Sequence, residues 1–185
     1  VDSGKTSLLD RIRGTGVQGR EAGGITQHIG ASFLPSDTIK EMCGPLYKNL
    51  EKSEHKVPGI LVIDTPGHEV FTNLRSRGGS AADIAILVVD VNRGFQPQTN
   101  ESLKILQSRK VPFLVALNKC DQISGWRKSE TKFISQAIKE QDASIQADLD
   151  QKLYDVVGTL SILGYKSEAF YRIEDFKSEI AIVPI

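Results

Sequence analysis

Five residues, Asp64-Thr65-Pro66-Gly67-His68, combine side chains suited to phosphate and metal chemistry. They follow the apolar run Gly59-Ile60-Leu61-Val62-Ile63, which predicts a buried strand and places the Asp64 carboxylate at the carboxyl edge of a sheet. Ligands of open α/β folds bind at that edge. Gly67 lets a backbone N–H approach a terminal phosphate, and His68 adds a side chain aimed at the same group. The segment therefore predicts a phosphate and metal sensor.

A second phosphate-binding pattern opens the chain. Val1-Asp2-Ser3-Gly4-Lys5-Thr6 fits the end of the G-x-x-x-x-G-K-[ST] phosphate loop, whose first glycine would lie upstream of the sequence. Backbone N–H groups of residues 2–6 would cradle phosphates. Lys5 would reach the β- and γ-phosphate oxygens and Thr6 would bind Mg²⁺, while we expect Ser7 to hydrogen-bond the α-phosphate.

Asn118-Lys119-Cys120-Asp121 follows the apolar run at 113–117 and predicts which base is bound. The Asp121 carboxylate can accept hydrogen bonds from guanine N1–H and from the exocyclic amine, a pattern that adenine does not offer. The Asn118 amide and the Lys119 stem would hold the pocket, and Cys120 would point into packing. The segment thus predicts guanine recognition.

The segment Gly23-Gly24-Ile25-Thr26 supplies a further candidate metal ligand. The Thr26 hydroxyl could bind the same Mg²⁺, and its N–H could reach the γ-phosphate. Asp64 would complete the metal site through a water, because Mg²⁺ takes octahedral oxygen ligands and keeps several waters. Taken alone, the glycine segment favours a mobile turn over a metal-binding loop.

Strands and helices alternate in the predicted order of elements. Continuous apolar runs predict strands buried on both faces at 60–63, 84–91, 113–117 and 180–183. Helices are predicted at 6–12, 70–77, 98–109 and 168–177, with one or two amphipathic helices over 132–163 and a further helix at 37–50. This alternation predicts an α/β fold with a mostly parallel sheet flanked by helices.

Composition narrows the class of protein. The 185 residues suit one domain, and 23 basic against 23 acidic side chains give a formal net charge of +0. Such a balance offers no broad cationic surface for DNA, so any RNA contact must be local. No apolar run is long enough for a membrane helix and no signal peptide is evident, which predicts a cytoplasmic protein without a membrane partner. Two cysteines without metal-ligand spacing fit reduced thiols.

Four segments in this order, Val-Asp-x-Gly-Lys-Thr, Gly-Ile-Thr, Asp-Thr-Pro-Gly-His and Asn-Lys-x-Asp, resemble the translational GTPases. Two flanking stretches are more specific: Arg20-Glu21-Ala22-Gly23-Gly24-Ile25-Thr26-Gln27-His28-Ile29-Gly30-Ala31 and Asn73-Leu74-Arg75-Ser76-Arg77-Gly78. They are similar to the initiation factor 5B family, the archaeal and eukaryotic counterpart of bacterial initiation factor 2. His28-Ile29-Gly30 favours the archaeal form.

The resemblance implies a P-loop G domain over residues 1–185, truncated at both ends because its first strand and its last guanine-contacting loop are missing. It implies binding of GTP and GDP with Mg²⁺, and a monovalent cation near Asp2. His68 would orient the water that attacks the γ-phosphate once the ribosome is bound. The predicted nucleotide contacts are Asp2, Ser3, Gly4, Lys5, Thr6, Ser7, Gly67, Asn118, Lys119 and Asp121.

The resemblance also implies the setting in which the domain works. We expect ribosome-stimulated GTP hydrolysis that promotes subunit joining in translation initiation. The ribosome would contact the switch regions through RNA, and initiator tRNA would bind to domains outside this chain. We expect a monomer.

Two other functions fit the same motifs. An elongation-type translational GTPase is disfavoured by the residues around Gly24-Ile25-Thr26-Gln27-His28. A GTP-binding switch without useful catalysis is disfavoured by the presence of His68.

Overall fold

Most of the predicted apolar runs form strands in the computed structural model, which describes residues 3–14, 30–49, 57–64, 82–131 and 133–185. The described residues belong to two compact units. One contains the residues up to Lys5 and from Ala82 onward, and the other contains those from Thr6 to Asp64.

A four-stranded parallel sheet forms the larger unit. Its strands are β3 (Ala85–Asp90), β4 (Phe113–Asn118), β5 (Ser167–Ala169) and β6 (Ile180–Pro184). Their order is β3-β4-β6-β5, and every pair is parallel. β-Branched and other apolar side chains predominate in β3, β4 and β6, as expected where helices cover a parallel sheet. The predicted α/β fold with a mostly parallel sheet is confirmed.

Two long helices contribute leucines to the core of this unit. α3 (Pro97–Arg109) begins with a proline in its first turn, and the side chains of Gln96 and Thr99 form a reciprocal capping box. α5 (Ala143–Ile162) buries one face through Ile145, Leu149, Leu153, Val156 and Leu160. Burying each such side chain contributes about 2 kcal/mol. These helices hold the sheet whose strand ends carry the candidate site.

The amphipathic stretch predicted at 132–163 forms two helices, α4 (Ile134–Lys139) and α5. The side chain of Gln141, only 4% exposed, lies at the junction. Its Oε1 accepts a hydrogen bond from the N–H of Arg127 at 2.8 Å, and its Nε2 donates to the carbonyls of Arg127 at 2.9 Å and Ala137 at 3.0 Å. Gln141 therefore fixes the loop before α4 onto that helix.

The smaller unit contains a two-stranded antiparallel ribbon. Its elements are α1 (Lys5–Arg13), β1 (Gly30–Pro35), α2 (Ser36–Cys43), a 3₁₀ helix (Gly44–Asn49) and β2 (Gly59–Asp64). The register pairs Gly30 with Asp64 and Pro35 with Gly59. The helix predicted at 37–50 therefore changes type at Gly44, whose φ of +51° ends α2 ahead of Pro45.

Several predicted elements differ from the structure. β1 was not predicted, because its sequence carries little alternation and ends in proline. Full burial of the strands was wrong at Ile60, Leu61 and Ile86, which are about half exposed. A two-stranded ribbon contacting α2 does not bury both of its faces.

The helix predicted at 168–177 was also wrong. β5 occupies the start of that stretch, and Asp175 then accepts hydrogen bonds from Lys177 N–H and the Ser178 hydroxyl, which stabilises a turn in place of a helix. The helix predicted at 70–77 lies outside the described residues. Within the described ranges, no helix is both long and apolar enough to cross a membrane.

Candidate nucleotide-binding site

Asn118 joins the two ends of the predicted site. It is the last residue of β4, and its Nδ2 donates a hydrogen bond of 2.8 Å to the carbonyl of Ser3, which is 115 positions away in the sequence. Its Oδ1 accepts from the N–H of Lys119 at 2.8 Å. The structure therefore brings the predicted base-binding segment into contact with the predicted phosphate loop.

Gly4 allows this contact. Its φ is +85°, a conformation that side chains other than glycine rarely adopt. A Cβ atom at this position would lie 2.2 Å from Asn118 Nδ2, well inside van der Waals contact. α1 begins at the next residue, Lys5. The first N–H groups of a helix have no intrahelical acceptor, which is why phosphates bind at such ends.

Lys119 carries an ion pair that the sequence analysis missed. Its Nζ lies 2.9 Å from Asp90 Oδ2, and the two side chains are only 24% and 5% exposed. Lys119 also has a φ of +69°, in the left-handed region. Non-glycine residues in that region are uncommon and concentrate at functional sites.

Asp90 is the last residue of β3 and is held from two sides. Besides Lys119, the backbone N–H groups of Asn92 and Arg93 donate to its Oδ1 at 2.9 Å and 3.2 Å. Burial alone would raise the pKa of Asp90, but the hydrogen bond from Lys119 and those from the two N–H groups outweigh it, so its pKa lies below the ordinary value. The carboxylate is therefore ionised at neutral pH.

A sequence signal for Asp90 existed. It ends an apolar run just as Asp64 does, and it stands beside Asn118 in the register of β3 and β4. The predicted strand at 84–91 extended past Asp90 and so placed it inside the strand. β3 ends at this residue instead, and its side chain therefore lies at the carboxyl edge of the sheet.

Cys120 and Asp121 differ sharply in exposure. Cys120 is buried, its N–H donates to the carbonyl of Ile185 at 3.1 Å, and its thiol donates to the carbonyl of Leu117 at 3.3 Å. Burial raises the pKa of the Cys120 thiol to about 12. Asp121, the next residue, is exposed. The predicted packing of Cys120 is confirmed, and the Asp121 carboxylate is accessible to a base.

The other predicted site residues are distributed between the units. Lys5, Thr6 and Ser7 form the first turn of α1, with Thr6 buried, and Asp64 is the last residue of β2. The remaining predicted residues lie outside the described ranges: Asp2, Thr26, Gly67 and His68.

The donor set predicted for Mg²⁺ has suitable chemistry. Thr6, Thr26 and Asp64 offer hydroxyl and carboxylate oxygens, the ligand type that Mg²⁺ prefers. Thr6 and Asp64 each stand at the end of an element beside a predicted phosphate-binding segment. These residues therefore fit the metal that the phosphate chemistry calls for.

A parallel sheet in which the Asn-Lys-x-Asp segment ends a strand and hydrogen-bonds Ser3, the residue before Gly4-Lys5-Thr6, is typical of P-loop GTP-binding domains. The family model described as "Elongation factor Tu GTP binding domain" matches residues 1–176, and this chain belongs to that family.

Archaeal initiation factors are among its similar proteins. The chain is 56% identical over 185 residues to "Probable translation initiation factor IF-2" of Thermococcus sibiricus, covering 100% of this chain and 31% of that protein. It is 52% identical over 184 residues to the protein of the same description from Methanopyrus kandleri, again covering 31% of it. This chain thus spans about a third of the length of these relatives.

A solved structure agrees with the sequence relatives. It is described as "Crystal structure of GDP-bound aIF5B from Aeropyrum pernix", shares 52% identity with this chain, and superposes with a TM-score of 0.82. The match covers 100% of this chain and 31% of that one. The predicted resemblance to the archaeal initiation factor branch of the translational GTPases is confirmed.

Proposed function

We propose that this chain binds GTP and hydrolyses it on the ribosome, as the G domain of a translation initiation factor that promotes subunit joining. The observation that carries the proposal is the 2.8 Å hydrogen bond from Asn118 to Ser3, because it fixes the base-binding segment to the phosphate loop. A nucleotide spans these two segments, so a fixed spacing between them favours one ligand geometry.

Guanine selectivity rests on Asp121. Its exposed carboxylate can accept two hydrogen bonds from guanine, while Lys119 and Asn118 support the pocket from the same loop. A base that lacks these two donors leaves the Asp121 carboxylate without a partner. The site therefore discriminates strongly against such a base.

Phosphate binding rests on the start of α1. Lys5 would bind the β- and γ-phosphates and Ser7 the α-phosphate, while the N–H groups from Asp2 through Gly4 to Thr6 would bind the phosphate oxygens. Thr6, Thr26 and Asp64 would hold Mg²⁺, with Asp64 acting through a water. When bound, Mg²⁺ supplies positive charge that offsets charge developing on the phosphates. We assign a monovalent cation near Asp2 to the same region.

Hydrolysis rests on Gly67 and His68. Phosphoryl transfer to water is mainly a matter of positioning and charge stabilisation. The Gly67 N–H would contact the γ-phosphate, and His68 would orient the attacking water when ribosomal RNA fixes the histidine in place. Intrinsic turnover should therefore be slow.

The setting is inferred from the relatives. Proteins described as initiation factors at 52–56% identity favour initiation over elongation. We propose that the switch regions contact the ribosome, that initiator tRNA binds other domains of the full-length protein, and that the protein is a cytoplasmic monomer.

The test is GTP turnover by the full-length protein with and without ribosomes. We expect stimulation by ribosomes, and we expect His68→Ala to bind GTP within about twofold of the parent while losing at least about a hundredfold of stimulated turnover, since water positioning contributes on that scale. His55→Ala is the matched control, because His55 lies outside every motif.

Subunit joining, followed by light scattering, completes this test. We expect joining to require bound GTP, and comparison of the parent with His68→Ala measures whether joining also requires hydrolysis. Unchanged stimulated turnover in His68→Ala would remove the catalytic role. Binding of GTP without any ribosome-stimulated turnover by the parent would favour a switch without catalysis.

A further inference from the structure

Asp90 lies at the carboxyl edge of the sheet, where the ends of β3 and β4 are adjacent. In the parallel register of β3 and β4, Asp90 is paired with Asn118, so both strands end at the same level. Lys119 follows directly and turns its Nζ back to Asp90. The carboxylate therefore contacts the loop that is expected to hold the base, although Asp90 belongs to none of the known motifs.

The two carboxylate oxygens have separate partners. Oδ1 accepts the N–H groups of Asn92 and Arg93 and so stabilises the turn after β3. Oδ2 pairs with Lys119. The turn needs only the first oxygen, so the second is available to act on the lysine alone.

The same turn contacts the base-binding loop a second time. Asn92 Nδ2 donates to the carbonyl of Gln122 at 3.3 Å, in the 3₁₀ helix Cys120–Gln122. The turn after β3 thus supports the loop on both sides of Asp121. A left-handed backbone at Lys119, which is unfavourable by itself, is held in place by this surrounding structure.

We propose that Asp90 is a positioning residue for guanine nucleotide binding, acting by fixing the Lys119 stem as a wall of the base pocket before the nucleotide arrives. The inference rests on the function proposed above. The four-carbon stem of a lysine is flexible, and it loses conformational entropy when a bound ligand orders it. An ion pair that orders it beforehand removes that cost from binding.

Charge also supports this assignment. The carboxylate is almost fully buried, and the only charged group that the described residues place on it is Lys119. Its lowered pKa agrees with a carboxylate that stays ionised opposite the lysine. Without that negative charge, Lys119 would turn toward solvent or toward the nucleotide phosphates.

The decisive variant is Asp90→Asn in the full-length protein. The amide keeps an oxygen for Asn92 and Arg93 and removes the charge that holds Lys119. We expect GDP to bind about tenfold more weakly by calorimetric titration, the scale of a lost charged hydrogen bond. In a Lys119→Met background the same change should weaken GDP binding by less than about twofold, because Asp90 then has no lysine to position.

Asp150→Asn is the matched control. Asp150 pairs with Arg172 at 2.9 Å through side chains that are about 40% exposed, and neither residue belongs to the candidate site. This variant removes one carboxylate and one ion pair from the same unit, and its GDP affinity should equal that of the parent. If Asp90→Asn does not fold, Asp90→Ser replaces it, because a serine hydroxyl still stabilises the turn but does not reach Lys119.

Two results would overturn the inference. One is GDP affinity unchanged in the Asp90 variant. The other is an equal loss of affinity with and without Lys119, which would show that Asp90 only stabilises the turn. Failure of the parent to bind GDP would instead contradict the proposed function, so the two failures are distinguishable.

Discussion

Residue 4 requires glycine for two independent reasons. Its φ of +85° disfavours any side chain, and a Cβ would collide with Asn118 Nδ2 at 2.2 Å. The first reason is a property of the backbone and the second is a property of the contact with Ser3. Substitution at another glycine with positive φ separates the effect of backbone strain from the effect of the clash with Asn118.

We expect Gly4→Ala to bind GDP about thirtyfold more weakly or worse, since strain and clash together exceed about 2 kcal/mol. Titration of the full-length protein measures this effect. Gly14→Ala is the control: Gly14 also has a positive φ, +64°, but a Cβ there meets no atom of the described residues within 4 Å. Gly14→Ala should lose some stability and no GDP affinity. Equal affinities for the two variants would mean that the contact of Asn118 with Ser3 does not matter for binding.

Individual residues of the candidate site could be predicted from the sequence where a motif fixes their spacing. Asn118, Gly4 and Lys5 could be predicted because the chemistry of phosphate and base limits which residue types serve. Asp90 ends an apolar run and so carried a signal for its position, but its ion pair depends on the strand register that puts it beside Asn118 and on a left-handed backbone at Lys119. Neither feature leaves a local pattern in the sequence.

At the scale of elements, one buried side chain helps to hold the loop between the base-binding segment and α4. Gln141 makes three hydrogen bonds to backbone groups of Arg127 and Ala137 while almost fully buried. Removing the side chain of a buried hydrogen-bonding residue leaves its backbone partners without a hydrogen bond, which destabilises the folded protein. The loop includes Trp126, the single tryptophan of the sequence.

Gln141→Ala should lower the free energy of unfolding by about 2 kcal/mol, because it removes three hydrogen bonds and leaves part-buried backbone groups of Arg127 without their partner. Urea unfolding followed by Trp126 fluorescence measures the change. Gln151→Ala is the control, since Gln151 is an exposed residue of α5 whose side chain donates a hydrogen bond to the exposed Asp155 carboxylate. This variant should change stability by less than about 0.5 kcal/mol. Equal effects of the two changes would show that Gln141 does not hold the loop.

Helices were predicted correctly where the spacing of apolar residues persisted over a long stretch, and wrongly where the stretch was short. The spacing of apolar residues over 132–163 identified the packing face of α5, including Leu149 and Leu153. The stretch at 168–177 was wrongly predicted as a helix, because the Asp175 turn depends on local hydrogen bonds to Lys177 and Ser178. β1 lacked both signals and is defined by its pairing with β2.

At the scale of the whole molecule, sequence and structure support the same class. A net charge of +0 favours local contacts over a broad nucleic-acid surface, and the parallel sheet places its strand ends toward one candidate site. The relatives are about three times longer than this chain, so the activity in translation is tested in the full-length protein.

Guanine selectivity through Asp121 is measured by titrating the full-length protein with different nucleoside diphosphates and comparing their affinities. The parent should bind GDP at least about a hundredfold more tightly than xanthosine diphosphate or ADP, because only guanine offers two donors to the carboxylate. Asp121→Asn should reverse the preference toward xanthosine diphosphate, since an amide can donate where the carboxylate only accepts. Equal GDP affinity for the parent and Asp121→Asn, or ADP binding as tight as GDP binding, would contradict the account.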